Sequence, residues 1–316
     1  MMRALMAYVL RTTGRHQAGL AVLSTAVFAL SAVPLELQRR IVNTVVDHGA
    51  FATVLWLALI YAGVALAEQS LKLALNVYRG WVAEDSVRRL RTRIGSGLGA
   101  AQTEVTAGDT GVEIAMILEE VEPIGGFMGL SVSEPLLQGG ILVSVVSYLV
   151  YLDARLALLG LAFFLPQLVF VPLMQGAINR RAQSRILTKR GMSGEIVRTS
   201  ADSPHEWAWA REPIERVFSL NMGIYKLKFS MNLLMNLMHH SAVAAAFCFG
   251  SWLALEGRID VGTVVATVSG LGKLNDPWGD LVNWGREFSV VSVKYRLFAD
   301  AIDRLTGGSR LALQPA

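Results

Sequence analysis

Charge and cysteine are both scarce in this chain of 316 residues: 17% are Asp, Glu, Lys or Arg, and Cys248 is the single cysteine. One cysteine rules out an intrachain disulfide framework. Set in an apolar stretch with no companion Cys/His group, it also leaves no metal centre, so Cys248 reads as inert. A phosphate-binding loop is missing as well. Such a loop needs G-x-x-x-x-G-K-[ST], because backbone amides wrap the phosphates while the Lys and hydroxyl serve phosphate and magnesium. The Gly272-Lys273 pair has Thr267 where the first Gly belongs and Leu274 in place of Ser or Thr. Gly95-Ser96-Gly97-Leu98-Gly99 sits in or after a basic helix rather than between a strand and a helix, which excludes a dinucleotide site. With no nucleophile–base set either, no catalytic residue, metal ligand or bound cofactor is expected in this chain.

What is present is apolar sequence in blocks. Hydrophobic residues make up 53% of the chain, too many for an ordinary soluble domain. A transmembrane helix needs ~20 mostly apolar residues. Runs of that kind lie at Gly19–Leu37, Thr53–Leu75, Leu136–Leu152, Leu156–Ile178, Leu233–Leu255 and Ile259–Leu281, the sixth carrying Lys273, Asn275, Asp276 and Asp280. The expected fold is an all-α membrane protein of six transmembrane helices.

The connections alternate in length, and so does their charge. Residues 1–17, 78–133, 179–229 and 286–316 hold 3, 5, 10 and 5 Lys and Arg, 23 in all, against 4 on the opposite side, Arg39, Arg40, Arg155 and Arg258. This distribution places both termini and both long loops in the cytoplasm of a multi-pass protein of the plasma (inner) membrane. It also explains the net charge of +4 without nucleic acid as a partner. Ala4–Leu10, bracketed by Arg3 and Arg11, suits an interfacial segment ahead of the first span. A cleaved signal peptide ending near Ser31 is the competing reading.

The long loops have helical order. Val87, Leu90, Ile94 and Leu98 recur at three and four residues with arginines between them, and residues 179–200 share this basic helical character. The spans therefore extend as rods beyond the bilayer, and the chain turns around twice. At the second turn Ser203, Pro204 and Glu206 form an S-x-x-E capping box, with Pro213 ending the helix. On it Trp207, Ala208 and Arg211 share a face beside His205, while Trp209 points elsewhere. Docking to a partner and packing on neighbouring rods are both consistent with these aromatics. At the first turn Thr110 and Glu113 form a T-x-x-E box after Gly108-Asp109, followed by Ile114 and Ile117 at helical spacing.

Polar groups within spans are costly in lipid and normally face protein or a water-filled cavity. The pathway candidates are Gln138, Asn232, Asn236, His239, His240, Lys273 and Asn275. Glu36, Glu68, Gln69, Lys72, Asn76, Gln167 and Asp276 share the property, although Glu68 and Lys72 can pair at i, i+4 and Glu36 can reach the outer interface. Asn232, Asn236 and one of the two histidines fall on one helical stripe, suited to substrate contact or to interhelical hydrogen bonds.

Six spans, two long loops, and the segments YRGWVAEDSVRRLRTRI, TAGDTGVEIAMILEEVEPIGGF, YLDARLALLGLAFFLP and LEGRIDVGTVVATVSGLGKLNDPW together resemble the membrane domain of ATP-binding cassette (ABC) exporters. The resemblance covers nearly the whole chain. It implies an N-terminal elbow at 1–16, a six-helix type I transmembrane domain at 17–306, and a tail at 307–316 where a nucleotide-binding domain normally follows. It implies dimerisation with a second transmembrane domain, homo- or heteromeric. ATP and magnesium would bind a partner nucleotide-binding domain. The turn-arounds would be coupling helices, contributing Asp109, Thr110, Glu113, Ile114 and Ile117, then His205, Trp207, Ala208, Trp209 and Arg211. Glu113, Glu119 and Glu120 replace the usual arginine and aspartate after the Gly-Asp pair. A degenerate, non-transporting scaffold or sensor with the same fold is the alternative.

Overall fold

The computed structural model describes residues 2–100, 121–199 and 211–305. These residues form α1 (Met2–Ser31), α2 (Val33–Val46), α3 (Phe51–Ala100), the helical residues 121–130 (α4), α5 (Ser133–Leu152), α6 (Ala154–Thr199), α7 (Arg211–Leu255), α8 (Val261–Gly272) and α9 (Asn275–Leu305). The chain is an all-α, multi-span membrane protein.

Helix lengths separate span from extension. The 50 residues of α3 correspond to ~75 Å, more than twice the ~30 Å hydrocarbon thickness. With 46 residues in α6 and 45 in α7, these two helices also outrun the bilayer. Among the described residues, five stretches are long and apolar enough to cross a membrane: Leu5–Val46, Phe51–Thr92, Val121–Leu152, Ala154–Lys189 and Arg211–Leu255.

The expected count of six continuous spans is corrected here. The run Ile259–Leu281 is split, with 12 residues in α8 and residues 275–281 in the start of α9. Pro277, in the first turn of α9, has no N–H to give the carbonyl of Lys273, so no helical bond crosses the break at that point. Instead the Lys273 amide bonds the carbonyls of Ser269 and Gly270, and Leu274 N–H bonds Leu271 at 3.2 Å, closing α8 with a tight turn.

The first predicted span is also interrupted. Pro34 opens α2, and the Leu35 amide turns to Ala32 at 3.1 Å. Both amides that would normally serve the Ser31 carbonyl are thereby lost. Lys273 Nζ takes their place, donating to that oxygen at 3.0 Å. The two helix breaks therefore meet, and one side chain joins them.

Near its start α1 bends at Thr13, whose backbone leaves helical geometry (φ −124°, ψ 17°). Its hydroxyl bonds back to Val9 at 2.8 Å, and Gln17 Nε2 bridges Thr13 Oγ1 and the Met128 carbonyl at 3.1 and 2.7 Å. Back-bonding of this kind bends helices. The segment before the bend, expected to lie on the membrane surface, packs Leu5, Tyr8 and Val9 against Val121, Phe127, Phe288 and Phe298. Trp284 also packs on this cluster, stacked on Phe127 and Phe288 with centroids 6.4 and 5.3 Å away. Burial, with Tyr8 alongside, pushes the Tyr295 phenol up to about 12, so this ring packs as a neutral group.

A second core joins Leu20, Leu75, Leu137, Ile141, Ala246 and Leu271 from α1, α3, α5, α7 and α8. The turn between α7 and α8 needs Gly257, whose φ of 70° suits a residue without Cβ. Helices α6 and α7 form a long antiparallel pair, tied by Arg185 Nη1 donating to Asn221 Oδ1 at 3.1 Å. Leu165, Leu168 and Val169 on α6, and Phe218, Phe229 and Leu233 on α7, are exposed along it.

Candidate functional site

A cavity of about 430 Å³ opens where α3, α5 and the two helix breaks converge. Ten of its fourteen lining residues are polar or charged, most of them from α3, α5 and α9. On α3, Glu68 and Lys72 pair at 2.7 Å one turn apart, as their spacing predicted. Arg79 follows two turns later, with its side chain 9% exposed, and its Nη1 pairs with Glu134 Oε2 of α5 at 2.7 Å.

The Arg79–Glu134 pair is held by a chain of donors. Arg79 Nε donates to Ser133 Oγ at 2.8 Å, and Ser133 donates in turn to the Gly129 carbonyl at 2.9 Å. Gly129 lets α4 come this close: a Cβ there would lie 2.4 Å from the Arg79 carbonyl oxygen. From the other side Gln138 Nε2 donates to Glu134 Oε1 at 2.8 Å and to Asp280 Oδ2 at 3.0 Å. An amide nitrogen has two protons, so one side chain serves both carboxylates. Arg79, Glu134, Gln138 and Asp280 thus tie α3, α5 and α9 together. One group is left over, since Arg79 Nη2 is buried without a hydrogen-bond partner.

A second ionic cluster lies at the α2–α8 end. Glu36 accepts from Arg39 Nε at 2.9 Å, Arg40 Nε at 2.6 Å and Tyr148 Oη at 2.8 Å. Asp260, before α8, accepts from Arg39 Nη1 at 3.4 Å and Asn43 Nδ2 at 3.2 Å, while Asn43 Oδ1 receives the Gly262 amide at 2.8 Å. These bonds fasten α2, α5 and the start of α8.

Of the residues expected on the pathway, Gln138 and Lys273 line the cavity. Asn275 lies beside it, half-buried, with its Oδ1 lacking a partner. The α7 stripe is not brought in: Asn232, Asn236 and His240 are exposed. His239 is half-buried, and its ring lies 5.3 Å from that of His240 and within electrostatic range of Asp276. Gln167 is wholly buried in α6 with both amide atoms unpartnered. Glu68, Lys72, Asn76 and Asp276 are cavity residues, whereas Glu36 belongs to the second cluster.

Sequence reasoning missed Arg79, Glu134 and Asp280 as site residues. Arg79 carried a signal in its apolar flank, Asn76–Val77–Tyr78 before and Gly80–Trp81–Val82 after. The coupling residues Asp109, Thr110, Glu113, Ile114, Ile117, His205, Trp207, Ala208 and Trp209 lie outside the described residues. Arg211 begins α7 and is exposed.

The family model for the ABC transporter transmembrane region matches residues 19–201, more than half of the chain. This chain belongs to that family. The matched stretch runs from α1 to the end of α6 and includes Glu68, Lys72, Arg79, Glu134 and Gln138, so most of the cavity wall is built on ABC transmembrane sequence. Comparison with curated proteins finds no match. The protein is a membrane-spanning ABC transporter subunit.

Proposed function

We propose that this subunit is of exporter type and forms, with a second transmembrane domain, a translocation pathway powered by ATP hydrolysis on nucleotide-binding domains outside the sequence described. The observation that carries this reading is the cavity between candidate spans α3 and α5 and the two helix breaks, lined by ten polar or charged side chains. Charged groups among spans are costly unless they serve a path or each other. The exposed apolar faces of α3, α6 and α7 supply a surface for a second copy or a homologous domain. Helices of ~65–75 Å would then act as levers, with the turn-arounds near Asp109–Ile117 and His205–Arg211 seated on the nucleotide-binding domains. Both termini and the levers would lie in the cytoplasm, on the side richer in Lys and Arg.

The test is co-reconstitution in liposomes with a nucleotide-binding partner. The reading expects the chain to stimulate that partner's ATPase, and Trp207→Ala with Trp209→Ala to abolish assembly. No stimulation by the unaltered chain would overturn the transporter reading. Assembly that survives the double substitution would overturn the second coupling helix alone.

A further inference from the structure

Helices α6 and α7 carry their charge differently from α3. On the α3 extension the cations are matched from within: Arg88 and Arg89 pair with Asp85, and Arg91 pairs with Glu122 at 3.6 Å. Residues 154–194 and 216–255, nearly all of α6 and α7, contain no Asp or Glu. Among the described residues Arg180, Arg181, Arg185, Lys226 and Lys228 accordingly have no ion-pair partner, and all but the half-buried Arg185 are exposed.

Two of these guanidinium groups are held in place by α7. Arg185 Nη1 donates to Asn221 Oδ1 at 3.1 Å. Arg181, one turn away on the same face, lies over Gly223, where a Cβ would come 3.0 Å from its Nε. These two contacts set the antiparallel register of the pair, which puts Lys226 and Lys228 within about one turn of Arg180. The result is a single basic band across the α6–α7 seam.

Depth locates that band. By helix rise, Arg180 is ~39 Å from the start of α6 and Lys228 ~40 Å from the end of α7. Both distances exceed the ~30 Å hydrocarbon and fall within the ~40–45 Å that includes the headgroup layers. At the same level the exposed Tyr225 stacks on the exposed Phe229, ring centroids 6.1 Å apart, as aromatics do at a membrane interface. Toward the membrane centre the surface turns apolar, with Leu168, Val169 and Leu173 of α6 and Leu233 and Leu237 of α7 exposed.

We propose that the α6–α7 seam binds an anionic phospholipid of the adjoining leaflet, cytoplasmic in the topology above. The headgroup phosphate lies on Arg181 and Arg185, and the acyl chains lie on the apolar strip. Guanidinium groups suit phosphate because their forked donors match its oxygens. An acidic protein segment would satisfy the cations but not the apolar strip beside them. A second copy that met this band with its own α6–α7 seam would add cations and no carboxylate. Such a site requires no transport, so it stands or falls apart from the transporter reading.

The experiment is native mass spectrometry of the purified full chain in a neutral detergent, offered equal amounts of phosphatidylglycerol and phosphatidylcholine with identical acyl chains. Bound phosphatidylglycerol is expected to exceed phosphatidylcholine at least about five-fold, the weight of one cation near an anionic surface. Raising the salt from about 50 to about 500 mM should shrink that ratio.

Arg181→Gln with Arg185→Gln should bring the ratio close to one. Arg89→Gln with Arg91→Gln deletes two cations that already have partners, leaves Arg88 on Asp85, and should change the ratio less than about two-fold. Equal binding of the two lipids, a ratio indifferent to salt, or a ratio that both pairs of substitutions lower alike overturns the proposal. A lipid preference that survives Arg181→Gln with Arg185→Gln while dimers are lost overturns it as well, and gives the band to a second copy.

Discussion

The two ionic clusters use the same chemistry at opposite ends of α5, in different surroundings. Around Arg79 and Glu134 the paired side chains are 9% and 15% exposed, whereas the Glu36 cluster pairs a 24%-exposed carboxylate with arginines exposed to 25% and 61%. Burial removes water as a substitute partner, so the first cluster should behave as a unit and the second as separable contacts. One holds helices around an open space. The other fastens helix ends.

That contrast can be broken by mutation, with thermal unfolding of the purified chain as the readout. Glu134→Gln should have the largest effect, a loss of about 3–5 kcal/mol, because the buried Arg79 then loses the carboxylate it pairs with directly. Gln138→Leu should follow, costing about 1–3 kcal/mol, since Glu134 and Asp280 lose their shared donor. Lys273→Met removes the bond to the Ser31 carbonyl and should cost about 1 kcal/mol. Glu36→Gln should cost under about 1 kcal/mol, because its partners can turn to water or headgroups. A reversed order, with Glu36→Gln worse than Glu134→Gln, would remove the distinction between a buried unit and a clasp.

Much of this architecture was legible in the sequence, for local reasons. Hydropathy runs report burial in lipid, and the spans around Thr53, Leu136, Leu156 and Leu233 fall inside long helices. The Glu68–Lys72 pair was readable because i, i+4 neighbours meet on any helix. Arg79 and Glu134 meet only because Gly129 lets α4 close on α3 and turn α5 toward it, a tertiary event with no local period. The sixth span shows a different limit. Its hydropathy runs on through the turn at Lys273–Leu274, and Pro277 and Gly279 alone in the sequence pointed to a kink there. On α7 the periodicity of Asn232, Asn236 and His239 was correctly helical, but periodicity fixes which residues share a stripe and not which neighbour that stripe faces.

Under the proposed function, the cavity between α3, α5 and α9 lies on a pathway whose access changes with ATP. Asn76 is exposed and lines that cavity, and Cys248 is the only native thiol to remove. The most direct measurement is therefore the labelling of Asn76→Cys, in a Cys248→Ala background, by a membrane-impermeant maleimide in vesicles carrying the chain and a nucleotide-binding partner. Labelling should be fast from the cytoplasmic side at rest and markedly protected during ATP turnover. Labelling at the same rate in both conditions, or from neither side, would contradict it.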